Sequence, residues 1–257
     1  MRRGHYSTEA IVLNSFSYGE SDRIVSFYTA EFGRIGAVAK GAFRSKKRFV
    51  GNLDACAHVK LDFFYSGSAL VRAEAAELVD AFPALRGDLT RLGSASAIVE
   101  LVYEMTPEWQ HNAAYFSIVR DFLSAMSGRT DPALMLLYFE IKHLRALGYL
   151  PHLDGCVECA AGFGERQAFF APEKGGVVCR GCAARVKDVT LLTPGTARHL
   201  SMAARMDIEK LERLVPNAMF VNECDKALSA FIRFQIGKEL KSRRFLEKLN
   251  AAMPLQR

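Results

Sequence analysis

Four cysteines constrain this chain more than any other feature. Cys156, Cys159, Cys179 and Cys182 follow the spacing C-x2-C-x19-C-x2-C. Two such knuckles can place four thiolates at the corners of a tetrahedron, the arrangement zinc takes with sulfur. The stretch between them, "RQAFFAPEKGGVVC", reads as a hairpin: an aromatic strand, a Pro/Gly turn and a Val-rich strand. A hairpin there returns the second knuckle to the first. Four sulfur ligands leave no open position for water, so the spacing predicts one structural Zn2+ rather than a catalytic one. Two disulfides would also use four cysteines, but a cytoplasmic chain disfavours them. A redox Cys-x-x-Cys would leave the second pair unexplained. Cys56 and Cys224 lie far off in a strand-like and a helix-like segment and read as buried free thiols.

The residues on either side have different periodicities. From 5 to 80, short apolar runs alternate with polar residues: "STEAIVLNSF", "RIVSFYT", "RIGAVAK", "AHVKLDFFY" and "ALVRAEAAEL". Five strands of this size predict a small closed barrel of the OB type, because closure removes exposed edges. An SH3-like barrel has a similar pattern. After "DAFPALRGD" the period becomes helical. "DPALMLLYFEIKHLRALGYLP" is the best-marked helix, with Asp131 as N-cap, Pro132 in the first turn and Gly148 at the end. Further helices are expected at about 194–204, 207–214 and from Asn217 to about Leu240. The fold class expected is therefore α+β and multi-domain: an N-terminal OB-type barrel (1–80), an α-helical domain (81–150 and 190–257) and an inserted four-cysteine zinc ribbon (151–189).

Charge is placed unevenly. The net charge is +6, and the last stretch, 233–257, alone holds seven basic and two acidic residues. Between Arg34 and Arg48 there are six basic residues, Arg34, Lys40, Arg44, Lys46, Lys47 and Arg48, and no acid. Like charges repel, so the fold gives no reason to group them, whereas a polyanion does. Phe43 and Phe49 lie among them, where an exposed ring could stack on a base and a buried one would anchor the loop. The C-terminal "KELKSRRFLEKL" adds Lys238, Lys241, Arg243, Arg244 and Lys248 as a second candidate patch. A helix C-terminus complemented by its cations would account for one or two of these charges.

The usual catalytic patterns are missing. "GRIGAVAKGAF" has Ala42 where a phosphate-binding loop needs Lys, and neither H-E-x-x-H nor G-x-S-x-G occurs. Glu20 and Asp22 in "YGESD" read as turn residues rather than as an acid/base pair. No apolar run reaches the ~18 residues of a membrane span. The alternating N-terminal run reads as a strand and not as a signal peptide. The expectation is a cytoplasmic binding protein with no enzymatic activity and no membrane contact.

Four stretches together carry a resemblance to a known family: residues 18–48, "YFEIKHLRALGYLPHLDGCVECA" (138–160), "GGVVCRGCA" (175–183) and "KELKSRRFLEKL" (238–249). In order and spacing the chain resembles the bacterial RecO recombination mediators over essentially its full length. It departs from them in the basic loop, where Phe43 separates the glycine from the first arginine. The resemblance implies binding to single- and double-stranded DNA and annealing of complementary strands without ATP. It also implies cooperation with RecR in loading RecA onto gapped DNA coated with single-strand-binding protein, whose acidic, apolar C-terminal tail docks on the helical domain. The long C-terminal helix, with Phe231 and Ile232 beside Arg233 and Lys238, is the expected place for that tail. Other readings stay open on the residues alone. A zinc-ribbon/OB regulator acting on RNA would bind RNA and DNA strands alike and would not anneal them. A redox or zinc enzyme would cycle the four thiols.

Overall fold

The protein is described by a computed structural model over residues 1–49, 51–128, 130–162 and 167–252. It divides into two compact units, Met1–Arg129 with Lys241–Arg257, and Thr130–Leu240.

The first unit begins with β1 (Gly4–Tyr18), β2 (Asp22–Thr29), β3 (Gly33–Ala39), β4 (His58–Tyr65) and β5 (Leu70–Asp80). These pair in the order β1-β2-β3-β5-β4 and close on themselves. β1 is long enough to serve two partners. Its N-terminal half pairs with β4 and its C-terminal half with β2, both antiparallel, while β3 and β5 run parallel. Alternation does what the sequence pattern requires: Val25, Phe27, Ile35, Ala37, Ala39, Val59, Leu61, Phe63, Val71 and Ala73 all point into one core. A register shift between Val12 and Asn14 bends β1, and the main chain of Val12 bonds instead to Cys56 and Ala57. Gly33 turns β2 into β3 at φ +69°, and a Cβ there would collide with the Gln110 carbonyl, so only glycine fits.

α1 (Leu89–Met105) and α2 (Ala113–Met126) follow, capped by the Asp88 and Asn112 side chains. The Tyr28 ring on the barrel's outer face meets Tyr115 of α2 edge-on at 5.2 Å.

In the second unit α3 (Pro132–Ala146) starts at the Asp131 cap as expected, and Gly148 follows its end at φ +82°. The helical-period apolar residues Leu134, Leu137, Tyr138, Ile141 and Leu144 are buried, but so are Met135, Leu136, Phe139, Glu140 and His143. The helix is thus enclosed around most of its circumference, more than its polar residues suggest. Then come β6 (Ala168–Ala171), β7 (Gly176–Cys179), α4 (Arg180–Ala183), β8 (Thr190–Leu192), α5 (Pro194–Ala203), α6 (Ile208–Leu211) and α7 (Ala218–Ile236). The last helix stops short of Leu240 because Gly237 takes a left-handed conformation at its C-cap. At Lys241 the chain re-enters the first unit as α8 (Lys241–Ala252). Among the described residues no helix is long and apolar enough to cross a membrane.

Candidate nucleic-acid interface and metal centre

The basic loop is the connection from β3 to β4. Two buried apolar side chains and a set of hydrogen bonds hold it. Phe49 and Leu53 drop into the barrel core at 4 % and 1 % exposure. The Ala76 N–H donates to the Arg48 carbonyl at 2.9 Å, and the Asn52 side-chain amide donates to the Ala76 carbonyl at 2.7 Å. At the loop's start the Asp22 carboxylate accepts the Gly41 N–H at 2.8 Å. That bond, then the Ser21 hydroxyl and more weakly the charge of Lys40, holds the Asp22 carboxyl below the usual carboxylate range. With the backbone pinned, Lys40, Arg44, Lys46 and Lys47 all project into solvent. Among the described residues none of these four lies within ion-pair distance of a carboxylate. Phe43 is 54 % exposed, with the Arg23 guanidinium 5.8 Å from its ring centre. Arg48 lies over the Phe49 ring at 5.0 Å and donates to the Lys40 carbonyl at 3.0 Å, tying the two ends of the loop together.

Arg34 is employed differently. Its Nε donates to the Thr106 carbonyl at 2.8 Å, its terminal nitrogen lies 3.3 Å from a Glu108 oxygen, and its guanidinium sits 5.1 Å over Tyr103. It fastens the segment after α1 to the barrel.

The thiol cluster forms in the second unit. β6 and β7 make the anticipated antiparallel hairpin, from Ala171 opposite Gly176 to Ala168 opposite Cys179. Val157 and Val177 add backbone bonds that lay the first knuckle against β7. The four sulfurs of Cys156, Cys159, Cys179 and Cys182 all lie within 4.8 Å of one another. Cys159 and Cys179 Sγ are 3.8 Å apart. This is far beyond the ~2.0 Å of a disulfide. It matches the edge of about 3.8 Å expected for a tetrahedron with metal–sulfur bonds of ~2.3 Å. The backbone N–H of Cys179 also points at Cys156 Sγ, 3.3 Å away.

Burial opposes ionisation of Cys156, but the N–H groups of Cys179, Cys159 and Glu158 outweigh it and bring the thiol down to about 6. Cys182 is driven the other way, up to about 12, by its hydrogen bond to Cys179 and then by burial. The four cannot all ionise against one another's charge, and a divalent cation removes that conflict. The residues present therefore fit a structural metal ion. Cys56 and Cys224 are buried free thiols. Cys56 sits in the turn before β4 at φ +71° rather than in a strand. Burial raises its thiol to about 12.

Two family models match the chain, "Recombination protein O N terminal" over residues 1–82 and "Recombination protein O C terminal" over 86–244. The chain belongs to the RecO family. Curated relatives agree along its length. A DNA repair protein RecO of Syntrophus aciditrophicus is 34 % identical, over 96 % of this chain and 97 % of its own. That of Anaeromyxobacter sp. (strain K) is 35 % identical over 93 % and 94 %, and that of Myxococcus xanthus 30 % over 95 % and 98 %.

The C-terminal cations of this RecO-family chain fall in two places. Lys238 is exposed near the end of the second unit, whereas Lys241, Arg243 and Arg244 open α8 in the first. They stand in the first turn of that helix, where the dipole disfavours positive charge, so complementing a helix C-terminus does not explain them. Glu100 of α1 offsets this. Its carboxylate accepts the N–H groups of Lys241 and Ser242, at 2.9 and 2.8 Å, and the Ser242 hydroxyl. Of the residues expected to receive the partner tail, Phe231 and Ile232 do not line an open groove. Phe231 and Ile232 are core residues, 2 % exposed, and Phe231 packs edge-on against Phe170.

Sequence reasoning missed Asp22 and Glu100. In the sequence Asp22 reads as a plain turn residue, and nothing singles out Glu100. The only signal for Asp22 was an acid 18 residues before the first lysine of a basic loop, which becomes meaningful once β2 and β3 pair.

Proposed function

We propose that this chain is a DNA repair and recombination mediator that works by binding, with no covalent chemistry. In this reading the closed barrel is an OB-type module. Its five-strand order with one parallel pairing, β3 with β5, supports that. Single- and double-stranded DNA engage the loop through Lys40, Arg44, Lys46 and Lys47, with Arg48 shared between the loop and the ligand and Arg34 left out. The observation that carries the reading is the group of four exposed cations without acidic partners, held on a loop that is anchored by buried apolar side chains and by hydrogen bonds of Asp22, Asn52 and Arg48. Each phosphate they neutralise releases condensed counterion. About four contacts predict a slope near −3 for log K against log[salt] on a single strand. Phosphate contacts carry no sequence information, so binding through these four cations is blind to sequence.

The first-turn cations of α8 form a second DNA-contacting patch. Two basic surfaces can hold two strands and lower their mutual repulsion, which permits annealing without ATP. The cysteine module is a zinc ribbon whose Zn2+ is structural. Membership of the RecO family supports RecR and the C-terminal tail of single-strand-binding protein as partners in loading RecA. The test is strand annealing on oligonucleotides coated with single-strand-binding protein, without nucleotide. Wild type anneals, and Arg44→Glu/Lys47→Glu does not. Equal annealing by both would overturn the reading, and equal affinity for RNA with no annealing would favour an RNA-binding role.

A further inference from the structure

Beside the basic loop the barrel carries an apolar surface that the fold leaves bare. Val25, Phe27, Ile35, Ala37 and Ala39 point inward, so their neighbours Ile24 and Val38 point outward. Past the register shift in β1, Phe16 pairs with Ile24 and Tyr18 with Asp22, and Ile24 pairs with Val38 on β3. These residues share one outer face. At its far end that face is covered, since Tyr28 is 2 % exposed beneath Tyr115. At the β1–β2 tip it is open: Phe16 is 50 % and Tyr18 56 % exposed. The same tip receives the basic loop. The Phe43 N–H donates to the Ser21 carbonyl at 3.1 Å, which brings a third ring, 54 % exposed, to the turn. Asp22 directs its carboxylate to Gly41 and Ser21 rather than to the open surface.

We infer that Phe16, Tyr18 and Phe43 form a stacking platform for the unpaired bases of a single nucleic-acid strand whose phosphates lie on Lys40, Arg44, Lys46 and Lys47. The inference rests on the proposed role of the loop and adds a discrimination that the cations cannot make. A cation attracts a phosphate on one strand or two alike. A ring needs the face of a base, and in a duplex those faces are already stacked. Half-exposed aromatics adjoining unpaired cations are therefore matched to single strands, and they are sequence-tolerant because every base has a π-face. The three rings lie outside the core, so replacing them does not remove what holds the barrel closed.

The experiment uses the full chain, a fluorescent oligothymidine strand and a duplex of equal length, titrated over a range of sodium chloride concentrations. Phe16→Ala/Tyr18→Ala should weaken single-strand binding by roughly tenfold per ring. Duplex affinity and the salt slope should stay within error of wild type. Arg44→Glu/Lys47→Glu, run in parallel, should weaken both ligands and flatten the slope. A Tyr18→Trp variant supplies a direct reporter, with its added emission quenched by the single strand and not by the duplex. If the loop variant weakens both ligands and the aromatic variant weakens neither, or weakens both equally, the platform is overturned while the role of the loop stands. The same holds if the rings serve only binding of a partner protein. If the loop variant binds like wild type, the functional reading itself falls.

Discussion

The barrel loop and the cysteine module solve one problem, ordering an irregular segment, by opposite means. The loop is ordered from beneath. Phe49 and Leu53 join an apolar core, and Asp22, Asn52 and Arg48 tie its backbone, so its cations need no partner. The knuckles are ordered from within. Two short strands and a four-residue helix surround four sulfurs that crowd within 4.8 Å. Burial and a few hydrogen bonds order the first, whereas the second, in the proposed reading, uses an ion to neutralise its ligands. The difference teaches where charge can be left for a ligand. On the loop, Lys40, Arg44, Lys46 and Lys47 carry charge that the anchors do not use, while Arg48 does both. In the knuckles the charged atoms are themselves the structural bond.

The comparison breaks most visibly on metal removal. With one zinc equivalent bound as proposed, chelation or Cys159→Ser should abolish it and cost the module several kcal/mol, enough to unfold it locally. Hydrogen exchange should show β6 and β7 losing protection while β1–β5 keep theirs. Loss of protection across the barrel as well would contradict the contrast. Next in size is the loop. Arg44→Glu/Lys47→Glu should cost about 100-fold in DNA affinity at low salt and roughly halve the salt slope, with an unchanged melting temperature. A fall in melting temperature would mean that the cations help hold the loop.

Some of this was legible in the sequence and some was not. The spacing of Cys156, Cys159, Cys179 and Cys182 and the hairpin between them could be read because ligand geometry and a tight turn are local. The five strands were readable because inward and outward residues alternate with period two. Contacts across long separations were not. Arg34 looked like part of the basic track until Thr106 and Glu108, more than 70 positions on, proved to hold it. The α8 cations could be read as complementing a helix C-terminus until Gly237 ended α7 and Glu100 proved to cap a new helix at Lys241. Phe231 and Ile232 carry the same apolar signature whether they line a groove or fill a core, and only packing separates the two.

A smaller effect separates the two units by pH. Burial depresses the imidazole of His143 in α3 from 6.5 to about 3. The unfolded chain therefore binds a proton that the folded one refuses. Between those values stability rises with pH, and acidification from about 6.5 removes it. Urea midpoints followed by probes in residues 130–240 should fall on lowering the pH from 7 to 5, and His143→Phe should flatten that fall. The smallest effect expected is at Asp22. Its carboxyl is held below 3.8, so the anchor is fully present above that pH and is lost as pH falls through the depressed value. At neutral pH Asp22→Asn should lower DNA affinity only a few-fold, by loosening the loop while its cations remain.

The central claim is that the exposed cations of the β3–β4 loop grip DNA while the barrel beneath supplies the rigidity. Equilibrium binding of wild type and Arg44→Glu/Lys47→Glu to a labelled single strand, measured from low to molar salt, tests it most directly. The account predicts a wild-type slope near −3, about half that in the variant, and convergence of the two at high salt. Wild-type affinity that is insensitive to salt, or a variant that binds as tightly as wild type at low salt, would contradict it.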